Sequence, residues 1–134
     1  MTGTQTALII DTDESRQELL VVLKKAGFRV LEATTSGDGA KCALDNSPRI
    51  VVIAEEMTPL EGVDLLPVIR RLTDLPIIAI GSGGEMAMVQ ALIQGADVYL
   101  TRPVNVQEFM ARIQALLRRY AIARGSAKEP LLHC

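Results

Sequence analysis

Short apolar runs alternate with amphipathic stretches of helical length five times along the chain. Each run is long enough for a strand, and each stretch carries apolar residues at helical spacing, as Leu19, Leu20 and Leu23 do. The predicted strands are residues 7–10, 28–33, 50–53, 77–80 and 98–100. This alternation is typical of a parallel sheet whose crossovers are helices.

Glycine and proline separate the predicted elements. The first helix starts at Asp13 or Ser15 and ends before Gly27, a residue suited to a left-handed C-cap. Pro48, Pro76 and Gly95 act as further breakers. The remaining predicted helices are residues 37–46, 62–72, 85–94 and 105–120.

The strand pattern also predicts the layers. The runs are apolar enough to be covered on both faces, and parallel crossovers are right-handed, so we expect an α/β, doubly wound, five-stranded parallel sheet with five helices. The 134 residues have room for one such domain, at residues 1–122. The polar residues 123–134 lack periodicity and are interpreted as a linker toward a C-terminal effector domain outside this chain.

Composition narrows the class of partner. With 14 basic and 16 acidic residues, the net charge of −2 gives no reason to expect nucleic-acid or membrane binding by this segment. Cys42 and Cys134 lie in no disulfide or zinc spacing, so we expect no metal and a reducing cytoplasmic setting. The start of the chain has no secretion signal, and no apolar run is long enough for a membrane span.

Polar residues follow four of the predicted strands. Reacting groups in an open parallel sheet gather at the carboxyl ends of its strands, so these residues are the candidate site. The four segments at these strand ends are Asp11-Thr12-Asp13, Ala54-Glu55-Glu56, Gly81-Ser82-Gly83-Gly84 and Thr101-Arg102-Pro103.

Three ordered segments, residues 7–15, 51–66 and 95–103, resemble the signatures of the response-regulator receiver family, which has a flavodoxin-like, CheY-like fold. The resemblance covers about residues 6–120. It implies an acidic pair that holds Mg²⁺ after the first strand and a phosphate-accepting aspartate at the end of the third. A Ser or Thr then ends the fourth strand and a Lys ends the fifth. Carboxylates suit a hard cation, and the hydroxyl and ammonium bind phosphoryl oxygens.

This chain departs from that pattern at four of the five positions. The acceptor position is Ala54, whose methyl group cannot take a phosphoryl group, and the second acid is Thr12, which leaves Asp11 alone in place. Gly81, with Ser82 beside it, stands at the hydroxyl position, and Arg102 replaces the Lys. We therefore expect a degenerate pocket with no catalytic residue, cofactor or metal, in a protein that is not an enzyme.

Two neighbouring acids could rescue the site. Glu55 follows Ala54 directly, but successive strand side chains point to opposite faces, so its carboxylate is not expected in the same pocket. Glu56 is either a solvated loop residue or the ion-pair partner of Arg102. Ala54 itself is either a natural replacement or an engineered one, and Thr12 and Gly81 favour natural degeneration.

Tyr99 lies where receivers carry an aromatic switch residue that turns inward as the Ser/Thr moves toward the phosphoryl group. With no hydroxyl at Gly81, we expect Tyr99 to be free of that coupling and its rotamer to be set by packing against the fourth helix. Leu116-Leu117-Arg118-Arg119, followed by a short polar stretch and then Pro130 to Cys134, resemble the passage into the winged-helix domain of OmpR/PhoB-type regulators. This resemblance implies a homodimer through the fourth helix, fifth strand and fifth helix. The candidate interface residues are Asp97, Arg112 and Arg119.

The leading interpretation is an atypical receiver that acts independently of aspartyl phosphorylation, as a regulatory and dimerisation module of a transcription regulator. In such a regulator DNA would be contacted only by a C-terminal winged-helix domain. One alternative is a stand-alone adaptor pseudo-receiver that binds a protein or small ligand in the degenerate pocket. The other is a phosphoacceptor that uses Asp13 or Glu56.

Overall fold

The predicted elements all form in a computed structural model, which describes residues 5–55, 57 and 64–128, with the backbone alone at residues 124–128. In chain order the elements are β1 (Thr6–Ile10), α1 (Arg16–Lys25), β2 (Arg29–Ala33), α2 (Ser36–Asp45), β3 (Ile50–Ala54), α3 (Leu65–Leu72), β4 (Ile77–Gly81), α4 (Glu85–Gln94), β5 (Val98–Thr101) and α5 (Val106–Lys128). The doubly wound α/β prediction is confirmed.

The strands form one parallel sheet in the order β2-β1-β3-β4-β5. The chain winds outward in both directions from β1 and β3, so the crevice at their carboxyl ends is the switch point where ligands gather in such sheets. Every residue of β3 and β4 is buried, which explains why these strands are continuous apolar runs.

Two apolar layers cover the sheet. Alternate side chains of each strand enter opposite layers: Ile53 packs with α2, α3 and α4, whereas Val52 packs with α1 and α5. Phe109 and Ile113 of α5 are fully buried in the second layer. This alternation also decides which residues share a face just beyond the strand ends.

The helix ends follow the sequence signals in most places. Gly27 and Gly95 have φ of +96° and +123°, as expected after the ends of α1 and α4. The predicted end of α5 at residue 120 is wrong, because the helix continues to Lys128. Ala121, Ala123 and Ala127 have high helix propensity and offset the polar residues between them. Residues 123–128 are thus helical, and their role as part of a linker remains a prediction.

Asp97, at the turn into β5, fastens the end of α5 to the sheet. Its Oδ2 accepts hydrogen bonds from the Ile77 amide at 2.8 Å, from Arg70 Nη2 at 3.1 Å and from the Tyr120 hydroxyl at 3.1 Å. Burial, and then the Asp97 charge, raise the pKa of Tyr120 above its ordinary value of 10.0. One carboxylate therefore joins α3, β4 and α5.

The Tyr120 hydroxyl should stabilise the fold until alkaline pH removes its proton. Since the folded state holds that proton more tightly than the unfolded chain, this contribution is complete below about pH 10 and is lost as pH rises through the raised folded-state pKa. Tyr120→Phe should cost about 1 kcal/mol at neutral pH and flatten that alkaline loss. Urea unfolding across alkaline pH measures both effects. Equal alkaline slopes in the two proteins would contradict this account.

Candidate functional site at the carboxyl ends of the strands

The parallel sheet brings the candidate residues to one edge. Asp11 directly follows β1, Ala54 and Gly81 end β3 and β4, and Arg102 directly follows β5. Ala54, which the sequence predicts at the acceptor position, is 2% exposed and carries only a methyl group. Thr12 is exposed, and its carbonyl accepts a hydrogen bond from Arg16.

Arg102 binds the acidic residues that follow β1. Its Nη2 donates to both carboxylate oxygens of Asp11 at 3.1 Å, while its Nη1 donates to Ser15 Oγ at 2.9 Å and lies 3.5 Å from Asp13 Oδ2. The Asp11 side chain is only 3% exposed and that of Arg102 only 17%. A planar guanidinium can make all these contacts from one side chain, whereas a lysine ammonium cannot do so with the same geometry.

Asp13 is held in its ionised form. The side-chain and backbone hydrogen bonds from Ser15, followed by the nearby charges of Arg102 and Arg16, lower the pKa of the Asp13 carboxyl from its ordinary value. Asp13 therefore adds negative charge around the guanidinium. The predicted pair of Arg102 with Glu56 concerns a residue outside the described ones and stays a prediction.

The donor set does not fit a magnesium ion. Mg²⁺ needs oxygen ligands in octahedral geometry, yet the buried Asp11 carboxylate already faces the Arg102 cation on both oxygens. Over residues 5–55, 57 and 64–128, no group of three or more His, Cys, Asp or Glu side chains could hold a metal. An ion approaching Asp11 would have to displace a bound guanidinium.

Glu55 occupies an unexpected position. Its Oε2 accepts hydrogen bonds from the Ser82 amide at 3.0 Å and hydroxyl at 3.1 Å, and its Oε1 accepts one from the Tyr99 hydroxyl at 3.1 Å. A Cβ atom added to Gly81 would overlap the Glu55 carboxylate and the Tyr99 hydroxyl. As expected from strand alternation, the Glu55 carboxylate points away from Ala54. Its contact with Gly81 and Tyr99 was not predicted from the sequence.

The strand register explains this position. β3 and β4 pair Ala54 with Ile80, so the next residues, Glu55 and Gly81, are neighbours on the face opposite Ala54. Tyr99 pairs with Ala79, whose side chain lies on the same face. Alternation along β3 correctly places the side chains of Glu55 and Ala54 on opposite faces of the sheet. Only the pairing of β3 with β4, and of β4 with β5, shows which residues Glu55 contacts.

Tyr99 is held by hydrogen bonds as well as by packing. Besides donating to Glu55, its hydroxyl accepts a hydrogen bond from the Gly83 amide at 3.0 Å, in the loop before α4. We expected packing against α4 to set the Tyr99 rotamer; Tyr99 packs against the layer that includes Ala91 of α4, and these two hydrogen bonds add a polar constraint that was not predicted. The Glu55 carboxylate, directly after β3, is a polar partner of Tyr99 at a place where Gly81 offers no hydroxyl.

The predicted interface residues lie in different settings. Asp97 makes the intramolecular contacts described above, whereas Arg112 is exposed and lies 3.6 Å from Glu108 on its own helix. Arg119 is exposed on α5.

Large apolar side chains on the outside of α4 form a surface that we call the α4 apolar face. It consists of Met86, Met88, Val89, Leu92 and Ile93, which are 39–85% exposed.

The fold defines the class: a receiver-type α/β domain. The response regulator receiver domain model matches residues 7–114, and the chain belongs to that family. No helix in the described part of the chain is long and apolar enough to span a membrane.

Curated relatives include transcriptional regulators. The chain is 30% identical over 127 residues to the transcriptional regulatory protein KdpE of Mycobacterium tuberculosis, covering 93% of this chain and 56% of that protein. It is 32% identical over 132 residues to the phosphate regulon transcriptional regulatory protein PhoB of Pseudomonas aeruginosa, covering 95% and 57%. The chain thus spans about half the length of the curated relatives it matches.

Solved structures agree on the fold. A two-component response regulator from Clostridium difficile superposes with a TM-score of 0.79 at 26% identity, covering 87% of this chain and 98% of that one. A response regulator from Desulfuromonas acetoxidans gives a TM-score of 0.80 at 20% identity, covering 85% and 97%. The second likeness shows the fold alone.

Arg102→Ala should destabilise the domain much more than loss of an exposed arginine. The substitution leaves the Asp11 carboxylate buried without its cation, which costs about 1–3 kcal/mol. Arg112→Ala removes only the exposed pair with Glu108, worth about 0.5 kcal/mol, and is the matched control. Urea unfolding of the three proteins measures the difference. Equal losses in both variants would show that the Arg102 pair has no special role.

Proposed function

We propose that this receiver acts without aspartyl phosphorylation, as a regulatory and dimerisation module of a transcription regulator. The observation that carries the proposal is the Arg102 guanidinium bound to both oxygens of the buried Asp11 carboxylate, beside an acceptor position filled by Ala54. The Arg102 side chain thus occupies the Asp11 carboxylate, the one acid of the predicted pair that could still bind Mg²⁺.

Phosphoryl transfer to a protein needs a nucleophilic oxygen and groups that stabilise charge in the transition state. The methyl group of Ala54 offers no oxygen. Asp13 is turned toward Ser15 and Arg102, and Glu55 toward Ser82 and Tyr99. These acids are engaged in contacts that an attacking carboxylate would have to give up.

The relatives support the transcriptional part of the proposal. KdpE and PhoB are named as transcriptional regulatory proteins, and this chain aligns with about half of each. The net charge of −2 gives this domain no broad affinity for nucleic acid. DNA would therefore be contacted by a further, C-terminal domain of the full-length protein.

The α4 apolar face supports self-association. Of the ten residues of α4 only Glu85 is charged, and Met86 and Ile93 are 85% and 74% exposed. Contiguous apolar surface on a domain marks an interaction site, and a second copy can cover it through a two-fold axis. Arg112 and Arg119 of α5 would lie at the rim. Asp97 is less suited to an intermolecular pair, because Arg70 and Tyr120 already bind it.

Incubation with acetyl phosphate and Mg²⁺ should leave the mass of the protein unchanged. Intact-mass spectrometry is the measurement, and a receiver with aspartate at the acceptor position serves as the positive control. A gain of one phosphoryl group on any residue at the strand ends would overturn the proposal.

Ala54→Asp serves as a second arm of that experiment. The variant should be phosphorylated poorly, because Thr12 supplies no second acid and Arg102 still covers Asp11. Combining Ala54→Asp with Thr12→Asp and Arg102→Lys should increase the yield. Rapid phosphorylation of the single variant would show that Arg102 does not close the pocket.

Ile93→Lys should prevent self-association of the unmodified domain while leaving its fold intact. A lysine on the α4 apolar face places a charge where apolar surface would be buried, and should raise the dimer dissociation constant at least roughly tenfold, about 1.4 kcal/mol. Val21→Lys is the control, since Val21 is 50% exposed on α1. Sedimentation equilibrium distinguishes the outcomes. A wild-type monomer, or equal effects of the two variants, would contradict the proposed interface.

A further inference from the structure

We infer that Glu55 is a built-in lock: its carboxylate holds Tyr99 across β4 and tethers the loop before α4, in place of a phosphorylation-dependent trigger. This inference deepens the proposed function and rests on it. The Glu55 lock consists of Glu55, Gly81, Ser82, Gly83 and Tyr99.

The hydrogen bonds of the lock are mutually consistent. The Tyr99 hydroxyl donates to Glu55 Oε1 at 3.1 Å and accepts from the Gly83 amide at 3.0 Å, so its proton and a lone pair are both used. Glu55 Oε2 takes both donors of Ser82. A carboxylate acceptor strengthens the three bonds to Glu55 compared with a neutral acceptor.

Gly81 leaves the space that the lock needs. Its φ does not require glycine, but a Cβ at this position would overlap the Glu55 carboxylate and the Tyr99 hydroxyl. The residue that departs from the receiver pattern at the end of β4 is therefore matched to the acid at the end of β3. Glycine at position 81 and glutamate at position 55 are therefore complementary in shape: the absence of a side chain at Gly81 makes room for the Glu55 carboxylate.

The lock extends to the proposed interaction surface. Ser82 and Gly83 lead through Gly84 into α4, and Gly83 and Gly84 have φ of +102° and +104°. A loop rich in glycine loses much conformational entropy when it is ordered, so the contacts to Glu55 and Tyr99 are needed to hold it. Fixing this loop fixes the start of α4 and thereby the α4 apolar face.

The simpler explanation is that Glu55, which is exposed, only accepts loop donors and has no influence on Tyr99 or α4. That explanation predicts a small loss of stability in Glu55→Ala and an unchanged tyrosine ring. The lock predicts a change at the ring itself, so the two can be separated by a measurement on Tyr99.

The first test is NMR spectroscopy of tyrosine-labelled protein. Wild type should show a nuclear Overhauser contact between the Tyr99 ring and the Gly83 amide. Glu55→Ala should lose this contact, Glu55→Gln should keep it in part, and the exposed control Glu18→Ala should keep it fully. An undiminished contact in Glu55→Ala would overturn the inference.

A second test uses different variants, so that the inference does not rest on the spectrum of Glu55→Ala alone. Gly81→Ala alone should lower the unfolding temperature, because its methyl group meets Glu55 and Tyr99. Adding Glu55→Ala frees the space, so the double variant should unfold at a higher temperature than Gly81→Ala. Additive losses would show that Glu55 and Gly81 act independently, and would overturn the inference.

A third test measures whether the Glu55 lock affects dimerisation. Glu55→Ala should raise the dimer dissociation constant roughly tenfold, within the usual range of coupling between sites, whereas Glu18→Ala should not. A wild-type monomer would remove the proposed interface while the tyrosine contact could still show the lock. A phosphoryl adduct on wild type would refute phosphorylation independence, and the NMR result would then judge the lock separately.

Discussion

The pairing of Arg102 with Asp11 is the constraint on which the rest of the site depends. A carboxylate that is 3% exposed is costly to bury without a partner, and the guanidinium provides charge and two hydrogen bonds at once. The pair ties the residue after β1 to the residue after β5, at opposite sides of the crevice. Ala54 ends β3 between these strands and adds no polar group, so this edge is occupied by an ion pair within the chain.

A second carboxylate, that of Glu55, makes its contacts on the opposite face of the sheet at the same strand ends. Glu55 is directed away from Ala54 by strand alternation and meets Gly81 and Tyr99, which the register of β3, β4 and β5 places beside it. Each anion thus has donors supplied by neighbouring loops, with arginine on one face and hydroxyl and amide groups on the other. We therefore propose that side chains of this domain, Arg102 and Glu55, hold the loops after β1 and β4 that a phosphoryl group would otherwise order.

Most of the fold could be predicted from the sequence, because buried parallel strands and amphipathic helices leave strong periodic signals. The predicted strands differ from the observed ones by one residue at an end, and α4 matches at both ends. The end of α5 was not predictable from polarity, since alanines sustain the helix through polar residues. The contacts of the site could not be predicted in the same way. No feature of the sequence signals the bidentate pairing of Arg102 with Asp11. Alternation along β3 correctly turns Glu55 away from Ala54, but it cannot identify the partners of Glu55, which lie at the ends of the next strands.

The most direct test of the account is the amide NMR spectrum of the unmodified domain before and after addition of beryllofluoride and Mg²⁺. If Arg102 and Glu55 already hold the strand ends, the resonances of Asp11, Asp13, Ser82 and Gly83 should stay in place as the additives are titrated. Saturable shifts of these resonances would contradict it, because they would show a pocket that still accepts a phosphoryl analogue.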